Sequence, residues 1–451
     1  MLIGMIIIFI LISRLIFLDL RVLHHDEGVN YFFANEILET GRFIYEPLNY
    51  HGPFYFFALA LSFLIFGISE FSLRFPAAVF GILIAVLPLF LLKGREKYFI
   101  SLFLLFSPSL MYYSRYSIHE GAFVLFSFLA VYFFSLILHR RDLKYLPVFS
   151  IALAFMFVTK ETSIIMLFIL FIIVIVNFRR IREINFKENY KGILISVLLF
   201  LFIYILFFSS FFLNFNGLRD SIRAFFPWID RGLNEIGHDK PFFYYSLLLL
   251  EYELPIFLFF LIGLVYFFRF YRRDIFVLNF FIWGILSFII YSLIPYKTPW
   301  LLINIIVPMC FVAGFMFDNL NRRWKFLLFG ISVIYLFSAA FYLNFVEPWQ
   351  SDNKLAYVHT DKDVLNLVDR IDDGDGPILI VSKEYWPLPF YLHGRNVSYT
   401  EGKFEGYGNY SGYDFFVFDS REFNEDDLPS GFDFENYRLR SGVELILRRK
   451  I

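Results

Sequence analysis

The sequence predicts an α-helical polytopic membrane protein that carries a small soluble α/β domain at its C-terminal end. Three observations predict it. Long Phe/Leu/Ile runs recur up to about residue 345. The short loops between them alternate between basic and base-poor. Beyond residue 346 the runs stop, and Asp, Glu, Gly, Asn and Tyr become common. The 451 residues are 59% apolar with a mean hydropathy of +0.63, too apolar for a water-soluble body of this length. A net charge of −1 provides no field that would gather nucleic acid. The single cysteine, Cys310, excludes an internal disulfide and lies in an apolar run, where a thiol packs as a small inert hydrophobe. The 66 phenylalanines are a compositional bias that assigns no function.

Apolar runs of spanning length, or nearly so, fall at 2–18, 53–68, 76–92, 98–113, 121–138, 145–158, 162–177, 191–213, 243–268, 275–294, 300–317 and 326–345. The first has no basic flank before it and no small-residue cleavage site, so it reads as an uncleaved span. Five loops are strongly basic: Lys93–Lys97, His139–Lys144, Arg179–Lys191, Arg269–Arg273 and Arg322–Lys325. These are expected in the cytoplasm. They alternate with base-poor loops at Tyr112–Glu120, Thr159–Thr162, Asn214–Phe242 and Pro295–Trp300. If 2–18 and 53–68 both span and the N-terminus is cytoplasmic, the basic loop 93–97 falls outside. Either the N-terminus is external, or 53–68 does not span. The second reading is supported by the opening His51-Gly52-Pro53 and the short length of the run, which suit a surface or re-entrant helix. Residues 19–75 are then one external loop, and about eleven spans follow.

In the tail, strand-like runs appear at 377–382, 414–419 and 443–448, preceded by a helix-like pattern from Asp361 to Ile371. The expected organisation is a membrane domain over 1–345 and an external α/β domain over 346–451. Asp372–Gly376 lacks the ligand pattern of a calcium loop, and no Walker, GxGxxG or CxxC motif occurs. Asn396-Val-Ser398 and Asn409-Tyr-Ser411 match glycosylation triplets.

Three constellations carry candidate chemistry. His24-His25-Asp26-Glu27-Gly28 follows the first span, where charge near a membrane is costly. A carboxylate there can act as a base, or Asp26 can cap a helix beginning near Val29. Adjacent ligands reach one ion poorly, so no cofactor is assigned and a divalent metal is left open. The second constellation is Ser114–Gly121, which places Arg115, His119 and Glu120 at the same membrane face. The third is a set of isolated cations, Arg74, Lys160 and Lys297, at outer helix ends. Such residues can snorkel, or they can hold an anionic phosphate.

The order of these pieces resembles the GT-C glycosyltransferases that use polyprenyl-phosphate-linked sugars, in their protein-mannosyltransferase and aminoarabinose-transferase branch. The motifs are Asp26-Glu27, His51-Gly-Pro-Phe-Tyr-Phe-Phe57, Ser69–Gly81 with Arg74, Ser107-Pro-Ser109 through Arg115, and Phe157-Val-Thr-Lys160. His25–Gly28, Thr159–Thr162, Tyr296–Trp300 and Glu384–Leu392 resemble an archaeal subfamily labelled flippase-activity-associated. The resemblance implies juxtamembrane helices at 28–40 and 53–68 and a catalytic base at Asp26. It also implies that Arg74 and Lys160 face the lipid phosphate and that Glu120 is a second acidic position.

The expected activity is therefore transfer of a sugar from a polyprenyl (dolichyl) phosphate donor to an external glycan, lipid or protein acceptor. Arg74, Arg115, Lys160 and Lys297 would hold the phosphate, and His25 and Glu27 would orient Asp26 or the acceptor. His51, His119 and Glu120 are assigned to the acceptor or second acidic position. The rival expectation is a non-enzymatic protein that binds a lipid-linked glycan or assists a flippase.

Overall fold

The structure is a computed structural model that describes residues 1–45, 51–234, 238–266, 274–348, 353–400, 410–421 and 431–450. The basic loop at Arg269–Arg273 and Asn409 of the second glycosylation triplet lie outside the described residues. The chain divides into two compact units. One is Met1–Leu18 with Glu36–Glu347, and the other is Asp19–Asn35 with Pro348–Ile451.

The first unit is helical. It opens with α1 (Leu2–Leu15) and, after the start of α2 (His25–Thr40), continues through α3 (Phe54–Phe66) and α4 (Glu70–Leu91). Ser69 caps α4 in a reciprocal box with Ser72: each hydroxyl accepts from the other residue's backbone N–H, at 3.2 and 2.9 Å. The run expected at 98–113 is two helices, α5 (Glu96–Phe106) and α6 (Pro108–Tyr113). Pro108 has no N–H to give Leu104, so the ladder stops there. The orphaned carbonyls of Leu104 and Leu105 are taken instead by the guanidinium of Arg14, each at 2.8 Å.

The chain continues with α7 (Glu120–Arg140), α8 (Leu146–Thr159), α9 (Ser163–Val176), α10 (Phe178–Ile181), α11 (Tyr190–Phe208), α12 (Asn216–Arg223) and α13 (Phe225–Asn234). The run expected at 243–268 is broken at Glu253 into α14 (Tyr244–Tyr252) and α15 (Leu254–Tyr266), with a 112° bend. Pro255 explains a helix start at this point. α16 (Ile275–Leu293), α17 (Ile303–Asn319) and α18 (Arg322–Phe341) complete the unit. Among the described residues six helices are long and apolar enough to cross a membrane, or seven if the bent pair is one span. α17 lies at the centre of the unit, whereas α11 turns Leu194, Leu198 and Phe202 outward. An apolar helix exposed in this way needs hydrocarbon as its solvent.

The second unit is built on a five-stranded sheet of β1 (Ile378–Val381), β2 (Val397–Thr400), β3 (Phe415–Asp419), β4 (Phe432–Arg440) and β5 (Val443–Lys450), in the order β2-β1-β3-β5-β4. β1 pairs parallel with β2 and β3, and β5 pairs antiparallel with β3 and β4. The three strands expected from apolar runs are β1, β3 and β5. Both faces of β1 and β3 are buried. Ile378, Ile380, Phe415 and Val417 pack with Val364, Leu367 and Ile371 of α19 (Asp363–Asp372), while Leu379, Val381, Phe416 and Phe418 form a second cluster. A short helix, α20 (Leu388–Tyr391), joins the first of these cores. Residues 19–35, including the first turns of α2, belong to this unit and not to the membrane helices that flank them in sequence.

Candidate active site

The acidic cluster opens α2. The helix begins at His25, four residues before Val29, and its cap is His24, not Asp26. The Asp26 N–H donates to His24 Nδ1 at 3.0 Å, and the His24 N–H donates to Glu27 Oε2 at 3.0 Å. This is the reciprocal logic of a capping box with an imidazole in place of a hydroxyl. The other ring nitrogen, Nε2, donates to the Tyr357 carbonyl. A ring that accepts at Nδ1 and donates at Nε2 is the neutral imidazole. Burial pushes the His24 ring down to about 3, in keeping with that state.

Glu27 is fully buried, committed to the cap and 3.7 Å from Arg21. Asp26 is half-buried at the second helical position, where the helix dipole favours a negative charge. Of the two adjacent carboxylates, Asp26 has the exposure that an acceptor hydroxyl would need. His25 is pushed down to about 4 by burial and by the neighbouring Arg440, so it too is neutral near pH 7.

In the helical unit a second polar cluster lies around a cavity of about 240 Å³. Lys160, the residue that ends α8, forms a buried ion pair with Glu120, the first residue of α7. Glu161 accepts from Tyr45 Oη at 2.5 Å and hydrogen-bonds His51 Nδ1 at 3.0 Å. Burial raises the Glu161 carboxyl to about 7, against the pull of Tyr45 and Lys160. His51 is held well below its ordinary range by burial and by Lys160 and Arg231, so its contact with Glu161 is a hydrogen bond and not an ion pair. The His51 ring stacks on Trp228 at 4.6 Å and meets His119 edge-on at 5.0 Å, and Arg231 sits over Trp228. His119 Nε2 is buried and has no hydrogen-bond partner among the described residues.

Lys160, Glu161, His51 and Arg231 form the polar corner of the cavity, whereas Ile164, Ile165, Phe225, Ile229 and Leu301 make apolar wall. Cations beside apolar wall suit an anionic headgroup that carries an apolar chain.

The structure thus brings together His51, His119, Glu120 and Lys160. It places the other expected cations elsewhere. Arg74 is fully buried and donates to the Leu18 carbonyl at 2.6 Å. Arg115 donates to the carbonyls of Ile16 and Phe17 at 2.7 and 2.6 Å, so the two arginines satisfy carbonyls of the stretch that leaves α1. Lys297 donates to the Ile294 and Lys240 carbonyls at 2.5 and 3.1 Å, and its flanking residues Tyr296 and Thr298 line the cavity. Asp26, Glu27 and His25 belong to the other unit.

Sequence reasoning passed over Glu161, although it adjoins Lys160 in a base-poor loop, and a carboxylate beside an isolated cation is the signal that would have found it. Arg231 and Trp228 lie in the stretch Asn214–Phe242, which the sequence offered only as a base-poor loop, and no local motif singles them out. Tyr45 carries no local signal. Among the described residues no group of three His, Cys, Asp or Glu is arranged to hold a metal ion.

A polytopic helical unit with a cation-cornered cavity, joined to a small α/β unit, is the arrangement of a GT-C-fold membrane protein. The chain shares its fold with a solved membrane protein. It matches the crystal structure of ArnT from Cupriavidus metallidurans bound to undecaprenyl phosphate with a TM-score of 0.73, over 99% of this chain and 98% of that one. The apo structure of the same protein matches with a TM-score of 0.72. Identities of 15 and 16% make this a likeness of fold. Residues 50–207 match the family model described as dolichyl-phosphate-mannose-protein mannosyltransferase. That stretch holds His51, Arg74, Arg115, His119, Glu120 and Lys160. An uncharacterized protein of Aquifex aeolicus (strain VF5) is 35% identical over 251 residues, 52% of this chain. The chain spans about half the length of that relative, 55%.

Proposed function

We propose that this chain is an integral membrane glycosyltransferase that moves a sugar from a polyprenyl (dolichyl) phosphate to an acceptor hydroxyl on the external face of the cell membrane. The observation that carries the proposal is the cavity in a GT-C-fold helical unit, where Arg231 and the Glu120-paired Lys160 stand beside apolar wall, and a lipid phosphate would compete with Glu120 for Lys160. A lipid phosphate supplies the complementary chemistry. Asp26 is the base. Its carboxylate takes the proton of the acceptor hydroxyl, the acceptor oxygen bonds to the anomeric carbon, and the bond from that carbon to the phosphate oxygen breaks. The lipid phosphate departs with the electron pair, and a single displacement inverts the anomeric centre. Glu27 supports Asp26 by capping the helix that carries it.

Purified protein in lipid is assayed with a panel of polyprenyl-phosphate sugars. The parent transfers sugar. Asp26→Asn has nearly the same shape but cannot take the proton, and it loses about 10²–10⁴-fold in rate while still binding donor. If the parent binds donor lipid and never turns it over, the protein handles lipid-linked glycans without catalysis.

A further inference from the structure

The segment Glu384–Leu392 stands out in the sequence, yet the transfer chemistry leaves it without a task. In the structure this segment seats the acidic helix. A Cβ at Gly28 would lie 2.9 Å from Pro387 Cα and 3.2 Å from the Trp386 ring. Trp386 meets His25 and Phe32 edge-on, Phe390 packs against Tyr31, and Tyr391 Oη accepts the Leu23 N–H at 2.9 Å.

The seat also carries charge. Glu384 pairs with Arg440 Nη2 at 3.0 Å. Arg440 is the last residue of β4 and is only 9% exposed. Its Nη1 lies 3.5 Å from His25 Nδ1, and its Nη2 lies 3.4 Å from the Trp386 carbonyl. Its Nε is buried with no hydrogen-bond partner among the described residues. A guanidinium is always charged, so the fold spends burial on a fixed cation against the residue next to Asp26.

We propose that Arg440 is a positioning residue for Asp26: it presents a buried positive charge to the first turn of α2 and holds the Asp26 carboxylate ionised, while Glu384 tempers that charge. The proposal rests on the reading of Asp26 as the base. Burial works against the Arg440 charge, whereas Glu384 and Asp26 both support it. Arg421 adds a second positive charge that acts against the charge on Arg440. Arg21 is paired with Glu27, and His24 and His25 are neutral near pH 7. Arg440 and Glu384 are therefore opposed charges in direct contact beside this turn.

The test needs no donor or acceptor. Asp26→Cys, made in a Cys310→Ala background, places a single thiol in that field, and its pKa is read from the pH dependence of the reaction with iodoacetamide. Arg440→Gln should raise the thiol pKa by about one unit, and Arg440→Lys should restore it. Glu384→Gln should move it the other way, because the Arg440 charge is then no longer opposed. Opposite shifts from two contacting residues do not arise from a purely structural role. An unchanged thiol pKa in Arg440→Gln, or shifts of the same sign in Arg440→Gln and Glu384→Gln, overturns the proposal. Should Arg440→Gln fail to fold, Glu384→Gln decides it: a downward shift supports the proposal, and no shift or an upward one overturns it. The base assignment fails separately, if Asp26→Asn transfers sugar at the parental rate.

Discussion

Glu161 shows what burial does to a single side chain. Its carboxyl sits at about 7 against an ordinary value near 4.5, with burial as the main cause. The native state therefore keeps the proton more tightly than the unfolded state does. Below pH 4.5 both states hold it and stability is unaffected. Between about 4.5 and 7 the unfolded chain releases the proton first and native stability falls, and above 7 the loss is complete. Glu161→Gln removes this slope. In detergent its melting temperature should exceed the parent's at pH 8 and match it near pH 4. Parallel pH profiles would show that Glu161 does not titrate in this range. Lys160 and Glu120 behave differently, because each neutralises the other inside the unit. Lys160→Met leaves a buried carboxylate and should destabilise by about 3–5 kcal/mol. Adding Glu120→Leu should recover most of that loss, as a double-mutant cycle of unfolding midpoints would reveal. The residue types at these positions were legible in the sequence, but their partners were not. Lys160 and Glu120 lie 40 residues apart, and Tyr45 and Glu161 lie 116 apart, so no local pattern links them.

Elements were read well where hydropathy alone decides them and less well where a proline or a charge pattern intervenes. The runs at 98–113 and 243–268 look continuous to a hydropathy window, yet Pro108 and the Glu253-Leu-Pro255 step break both. β1 and β3 are evident because they are apolar on both faces, as parallel and central strands tend to be, and β5 is marked by its apolar run Leu445–Leu447. β4 escaped notice because Phe432–Arg440 is an edge strand with mostly solvated charges, and edges are kept polar to discourage pairing with other chains. The start of α2 was missed because a histidine cap has no place in the usual Ser/Thr/Asp/Asn signature. The seat of that helix yields a prediction at this scale. Gly28→Ala drives a methyl to within 2.9 Å of Pro387 and should cost about 1–3 kcal/mol. It should also loosen the first turn of α2, seen as faster amide exchange at His25 to Tyr31. Unaltered exchange would mean that the helix is held chiefly from elsewhere.

For the whole molecule, the class of fold follows from hydropathy and loop charge, and the comparisons agree with it. What composition does not convey is the membership of the two units, since 19–35 lies between membrane helices in sequence yet folds with the sheet. Orientation is a matter of loop charge, and it makes one prediction. In a Cys310→Ala background, Arg95→Cys should resist a membrane-impermeant maleimide applied from outside, whereas Lys362→Cys, also exposed, should react. The reverse pattern would invert the topology. The discontinuous sheet-bearing unit also bears on biosynthesis. The ribosome makes residues 19–35 early and their packing partners roughly 300 residues later, a delay of ~15–60 s at ordinary elongation rates. Throughout that interval the nascent chain carries Asp26 on a helix whose bed has not yet been translated. A quality-control step acting on half-made chains would meet an acidic helix end with nothing to bind it, and the Asp26 carboxylate would be set in place only after the final β-strands emerge.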